Sequence, residues 1–172
     1  MSVLSRAHHS VATIMVELQS HQHEDVAVTE SDPKSAAPKL AVPALLTGQK
    51  ALVTGANSGI GRGVALALGE AGADVVVNYV VGDDAAQAVV EQIEGFGVKA
   101  IKIKADVSDE DQVVAMFKQA CDAFGTVDIL VANAGLQRDS AFKDMTLAEW
   151  NKVIGVNLTG QFLCAREAVR EF

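Results

Sequence analysis

From Gly48 onward, short apolar runs alternate with longer stretches whose apolar positions recur at helical spacing. KALVT (Lys50 to Thr54) predicts a strand, and in the segment that follows Ile60, Val64, Leu68 and Ala71 fall on one face of a helix. ADVVVNY (Ala73 to Tyr79) predicts a second strand, residues 83 to 96 a helix, and AIKIKA (Ala100 to Ala105) a third strand. A helix over 109 to 124 and a strand DILVAN (Asp128 to Asn133) complete the series. Continuous apolar runs suit strands buried on both faces, and one helix between successive strands suits parallel pairing. The expected fold is α/β, a doubly wound parallel sheet of Rossmann type with strand order 3-2-1-4.

Polar residues mark the helix ends. Ser108 stands where an N-cap belongs, ahead of Asp109, Glu110 and Asp111, whose charge suits the positive end of a helix. Gly95, Gly97 and Gly125 stand where left-handed C-terminal residues are expected. Thr146 and Glu149 have capping-box spacing at the start of a last helix that runs to the end of the chain.

Before Gly48 the pattern changes. All four histidines (His8, His9, His21 and His23) fall in the first 23 residues, and all three prolines lie between Ser31 and Pro43 among small and charged residues. Residues 1–45 therefore read as a disordered tail and linker, and 46–172 as the folded domain. The apolar patch Val11 to Leu18 is short and carries Glu17, so neither a signal peptide nor a membrane span is expected. A transit peptide and a true start at Met15 remain alternative readings of the tail. The net charge of −8 argues against nucleic-acid binding. Cys121 and Cys164 share no metal or disulfide spacing, so both are expected to be buried, reduced thiols, and no metal site is expected.

The chemistry concentrates in ALVTGANSGIG, a strand, a glycine turn and the first turn of a helix. Unpaired N–H groups and a partial positive charge at that helix end, with glycines that admit close approach, suit a phosphate. Gly55, Gly59 and Gly61 form G-x-x-x-G-x-G rather than the general dinucleotide spacing, and no lysine follows to make a P-loop.

Thr54 to Gly61, Asp106-Val107 after the third strand, Asn133-Ala134-Gly135 after the fourth, and Asn157 together resemble the short-chain dehydrogenase/reductase family over Gly48 to Phe172. Within it, Asn78-Tyr79, NAGLQ and the segment from Glu149 to Val169 look most like the bacterial glucose 1-dehydrogenase branch. The resemblance implies an NAD(P)-dependent oxidoreductase that acts on an aldose. It implies that Gly55, Gly59 and Gly61 line the pyrophosphate of NAD or NADP, with Asn57 and Ser58 as donors and Ile60 near the phosphates and nicotinamide. Asp106 would accept a bond from adenine, Val107 would pack on that ring, and Asn133, Ala134 and Gly135 would pass beside the ribose, Asn133 also tying the central strands. Tyr79 ends the second strand near the adenosine end, where neither an acidic nor a basic residue decides between NAD and NADP. Gln137 to Phe142 are expected near the pocket entrance.

The same resemblance gives Asn157 a catalytic role, interrupting a long helix and holding a water in a proton relay. The family's serine and Tyr-x-x-x-Lys pair, which exchange a proton with the substrate oxygen, have no match here: Tyr79 is the one tyrosine, with Asp83 four residues on. The chain is thus expected to be truncated after the fourth strand and its following helix, marginally stable alone and inactive alone. The expected partners are a small carbonyl or sugar substrate and, at full length, copies of itself; no membrane is expected, and a cytoplasmic location is. A non-catalytic NAD(P)-binding module and an interaction fragment stay open as alternatives.

Overall fold

A computed structural model describes residues 44–172. The tail with its histidines, Met15 and the proline-rich linker lies outside the described residues. In chain order come β1 (Lys50–Val53), α1 (Gly59–Glu70), β2 (Asp74–Tyr79), α2 (Asp83–Glu94), β3 (Ala100–Lys104), α3 (Glu110–Phe124), β4 (Ile129–Val131), α4 (Leu147–Ile154) and α5 (Gly160–Glu171). A π-helical turn, Gly155–Thr159, joins α4 to α5.

All strand pairs are parallel and the order is β3-β2-β1-β4, the order expected from one helix per crossover. Val53 is level with Val77 on one side and Val131 on the other, so the chain leaves these three strands along a common carboxyl edge. Side-chain alternation along the strands divides the core into two layers. Leu52, Val76 and Ile103 pack with Met116 and Phe117 of α3 and Leu163 of α5. Val53, Val75 and Val77 pack with Ala65 of α1 and Val89 and Ile93 of α2 on the other face. Two close approaches depend on glycine: a Cβ on Gly69 would lie 2.8 Å from Ile93 Cγ2, and one on Gly160 would lie 2.7 Å from Val107 Cγ2.

Several local expectations need correction. The N-cap of α3 is Asp109, whose side chain accepts from Gln112 N, and not Ser108. Ser108 is diverted because its amide and hydroxyl both donate to Asp106 Oδ1, at 2.9 and 2.7 Å. Gly95 is right-handed, and the reversal after α2 comes at Gly97 with φ 86°; Gly125, at φ 88°, is left-handed as expected. The last helical stretch is interrupted around Asn157, as the resemblance implies, by the π-helical turn, where Gly160 N donates to Gly155 O five residues back. Its start is as expected, with the Thr146 and Glu149 capping box formed in both directions. Both cysteines are free, but only Cys164 is buried; Cys121 is half-buried. Burial pushes the Cys164 thiol up to about 12 and the Cys121 thiol up to about 11, the latter helped by Glu171, so both stay protonated near neutrality.

Candidate functional site

The carboxyl edge of β1 and β4, where the order reverses, is where ligands bind in open α/β sheets. The glycine turn lies there. Ser58 is the N-cap of α1 in extended conformation, and its side chain makes no capping bond. The N–H groups of the first turn, Gly59, Ile60 and Gly61, lack an intrahelical acceptor, and among the described residues no side chain supplies one. Gly55 (φ 62°) and Gly59 (φ 53°) hold left-handed conformations that bend the turn, and a Cβ on Gly59 would meet nothing within 4 Å. Gly61 has a different reason to be glycine: a Cβ there would lie 2.3 Å from Gly55 O and 2.5 Å from Asn133 Nδ2.

Polar side chains, Thr54 buried and Asn133 half-buried, hold this edge together. Thr54 Oγ1 accepts from both Asn133 N and Ala134 N at 2.9 Å, while Asn133 Nδ2 donates to Thr54 O at 2.9 Å and Gly55 O at 3.3 Å. Asn133 thus ties β4 to β1. Gly55 lies against Ala134, since a Cβ on it would stand 3.1 Å from Ala134 Cα. Asn78, also buried, does the same on the other side. Its Oδ1 accepts from Gly55 N at 3.2 Å, and its Nδ2 donates to Ile103 O at 3.3 Å and Ala105 O at 3.0 Å. One amide therefore joins the glycine turn to the end of β3. Its burial within an apolar strand was the signal available, because a buried amide needs partners for all its polar groups.

At the exit of β3, Asp106 closes the turn into α3 through Oδ1, while Oδ2 accepts no bond from a described residue. Its own N–H donates to Gln112 Oε1 at 2.9 Å. Val107 is only 2% exposed and its side chain packs on Gly160 in the core, so the expected stacking of that side chain on a ring does not fit its position. Tyr79 is buried as well, and its hydroxyl donates to Asp83 Oδ1, whose other oxygen accepts from Lys102 Nζ at 2.6 Å. The Lys102 ammonium and the Tyr79 hydroxyl hold the Asp83 carboxyl below its ordinary range, and the bond to Asp83 raises the Tyr79 phenol. Asn57 turns its amide away from the glycine turn and donates to Val81 O at 2.8 Å. Ile60 is exposed beside the turn.

Across the crevice, Asn157 lies in the π-helical turn. Its Oδ1 accepts from Leu136 N and its Nδ2 donates to Leu136 O, both at 2.9 Å, so the side chain grips one residue of the loop after β4. Gly135 runs beside it, and Gln161 Nε2 donates to Ala134 O at 2.9 Å. Phe142, on the same loop, is exposed. The structure thus gathers Gly55, Ser58, Gly59, Ile60, Gly61, Asp106, Asn133, Ala134 and Gly135 along one edge. It turns Val107 inward, and it occupies Tyr79 and Asn57 with bonds to the segment between β2 and α2.

This edge fits a dinucleotide in three respects. The first-turn N–H groups of α1, unbonded among the described residues, suit a pyrophosphate, the open space at Gly59 admits it, and Asp106 Oδ2, which accepts from no described residue, can accept from an amino group. Among the described residues no group of three His, Cys, Asp or Glu side chains is placed to hold a metal ion.

Such an edge defines a dinucleotide-type α/β domain. The family model for short chain dehydrogenase matches residues 49–172, and the chain belongs to that family. It is 48% identical over 120 residues to a 3-oxoacyl-[acyl-carrier-protein] reductase of Staphylococcus aureus, covering 70% of this chain and 49% of that one. It is 49% identical over 125 residues to versicolorin reductase of Emericella nidulans, covering 73% and 47%. A short chain dehydrogenase from Burkholderia cenocepacia, solved in complex with NADP, superposes with a TM-score of 0.73 at 39% identity, over 74% of this chain and 52% of that one. The chain spans about half the length of these relatives.

Proposed function

We propose that the chain forms the coenzyme-binding part of an NAD(P)-dependent oxidoreductase that moves a hydride between the coenzyme and a small carbonyl or hydroxyl compound. The observation that carries this reading is the uncapped first turn of α1, set against the left-handed glycines and braced by Asn78 and Asn133. Gly55, Ser58, Gly59, Ile60 and Gly61 would hold the pyrophosphate, Asp106 the adenine, and Asn133, Ala134 and Gly135 the ribose on the nicotinamide side. The coenzyme supplies the hydride chemistry when bound.

In this reading Asn157 acts as a positioning residue. Its side chain holds the loop at Leu136, and the π-helical turn around it changes the carbonyl pattern of the helix, a feature frequent at functional sites. The names of the relatives favour reduction of a ketone such as an oxoacyl thioester. The aldose reading rests on the branch resemblance of Asn78-Tyr79 and NAGLQ, and none of the relatives named above is named for a sugar. Fluorescence titration of the chain with NADH and NADPH tests coenzyme binding. Saturable binding of either supports the reading, and no binding of either overturns it. Assays on the longest polypeptide that contains this chain, with an oxoacyl thioester and with glucose, separate the two substrate classes.

A further inference from the structure

Asn57 was expected to donate to a pyrophosphate, yet its amide spans two loops. It leaves the glycine turn after β1 and donates to Val81 O, 24 residues on, at 2.8 Å. Val81 lies between β2 and α2, where Val80 and Val81 are both exposed. A second, independent feature shapes the same contact. Gly82 is left-handed at φ 81°, and a Cβ on it would lie 3.0 Å from Asn57 Nδ2. The conformation at 82 thus favours glycine twice, once for its backbone and once for the space the amide occupies.

In parallel sheets of this kind the adenosine ribose lies between the turn after the first strand and the end of the second. We propose that Asn57 is a positioning residue for coenzyme binding, a clasp that fixes residues 80–82 against the glycine turn and so sets the walls of the adenosine ribose pocket. The inference rests on the coenzyme reading above. It assigns Asn57 to the adenosine half of the ligand and removes it from the pyrophosphate donors. A segment already fixed before binding loses less freedom when the ligand arrives, so the clasp raises affinity without touching the phosphates.

The test compares the unaltered chain with Asn57→Ala and Gly82→Ala. AMP probes the adenosine half and inorganic pyrophosphate the phosphate half, and amide hydrogen exchange reads residues 80–83 without ligand. Both variants are expected to weaken AMP by roughly fivefold to tenfold, the worth of one hydrogen bond. Exchange at 80–83 is expected to quicken in both, with pyrophosphate affinity unchanged. Gly82→Ala keeps the Asn57 side chain but crowds its amide and strains residue 82, so loss of AMP affinity in that variant separates the clasp from any direct contact of the amide with ligand. AMP affinity equal to that of the unaltered chain in both variants overturns the proposal. So does a loss confined to pyrophosphate in Asn57→Ala, which makes the amide a phosphate donor. Failure of the unaltered chain to bind any of AMP, pyrophosphate and reduced coenzyme overturns the coenzyme reading and this assignment with it, a result distinct from binding that the substitutions leave unchanged.

Discussion

Around β1 and β2 every strand residue after the first is buried, and the polar groups inside, Thr54 and Asn78, are hydrogen-bonded. Around β4 and α4 no residue of either element is buried, and Trp150, Leu158, Phe162 and Val169 stand exposed along α4, the π-helical turn and α5. The first region is closed by packing on two faces, and its glycine turn can hold one shape. The loop after β4 relies instead on a few polar holds, Asn133 to Thr54, Gln161 to Ala134 and Asn157 to Leu136. A closely packed glycine turn therefore sits beside a loop whose position rests on individual hydrogen bonds.

The strongest way to break this contrast is Gly61→Ala. The added methyl would overlap Gly55 O and Asn133 Nδ2, and the α1 turn has nowhere to retreat. A loss of about 3 kcal/mol in urea unfolding is expected, the upper range for forced overpacking, together with loss of coenzyme binding. Unaltered stability and binding would show that the turn is slack.

Asn78→Ala comes next. It leaves Gly55 N and the carbonyls of Ile103 and Ala105 short of a partner, at an expected cost of about 2 kcal/mol. A two-dimensional amide spectrum of the variant should show shifts at both Gly55 and Asp106, since one side chain braces both. Shifts at one end alone would separate the two loops.

Asn157→Ala tests the open side. Its two bonds are exposed, so about 1 kcal/mol or less is expected, with faster hydrogen exchange at the Leu136 amide and none at Gly55. A loss as large as that of Asn78→Ala would erase the contrast between the two regions.

The smallest effect is a pH dependence at Asp74, which closes the start of β2. Burial works against its charge, but the Lys50 ammonium at 2.8 Å and the Lys99 N–H outweigh it and hold the carboxyl below the ordinary 3.8. A lowered folded-state value means that the contribution is complete above the unfolded value and disappears as pH falls through the folded one. Stability should therefore drop below about pH 4, and Asp74→Asn should flatten that part of the curve; an identical acid limb in the variant would remove Asp74 from the account.

Much of this architecture is written in periodicity. The β-branched run at Val75 to Val77 and the apolar spacing of α1 and α3 fix element type, and single-helix crossovers leave few ways to order four strands. Helix ends are harder to read where neighbouring residues compete for one role. Ser108 and Asp109 are both good N-caps, and the choice turns on Asp106, whose Oδ1 draws Ser108 away. The π-helical turn leaves no trace in the hydrophobic pattern, and only the resemblance at Asn157 points to a break in that helix. Among the candidate site residues, the glycines stand out by spacing and Asp106 by the family resemblance. Asn57, Asn78 and Gln161 do not, since their roles come from bonds between loops that only the folded sheet brings together.

The central claim is that the carboxyl edge around Gly59 is a ready-made dinucleotide cradle. Amide hydrogen exchange of the chain with and without saturating NADP⁺ tests it most directly. Added protection is expected at 55–61, 78–82, 106 and 133–135, with little change over the exposed face of 147–171. Saturation with no added protection at 55–61, or protection confined to the helices after β4, would contradict it.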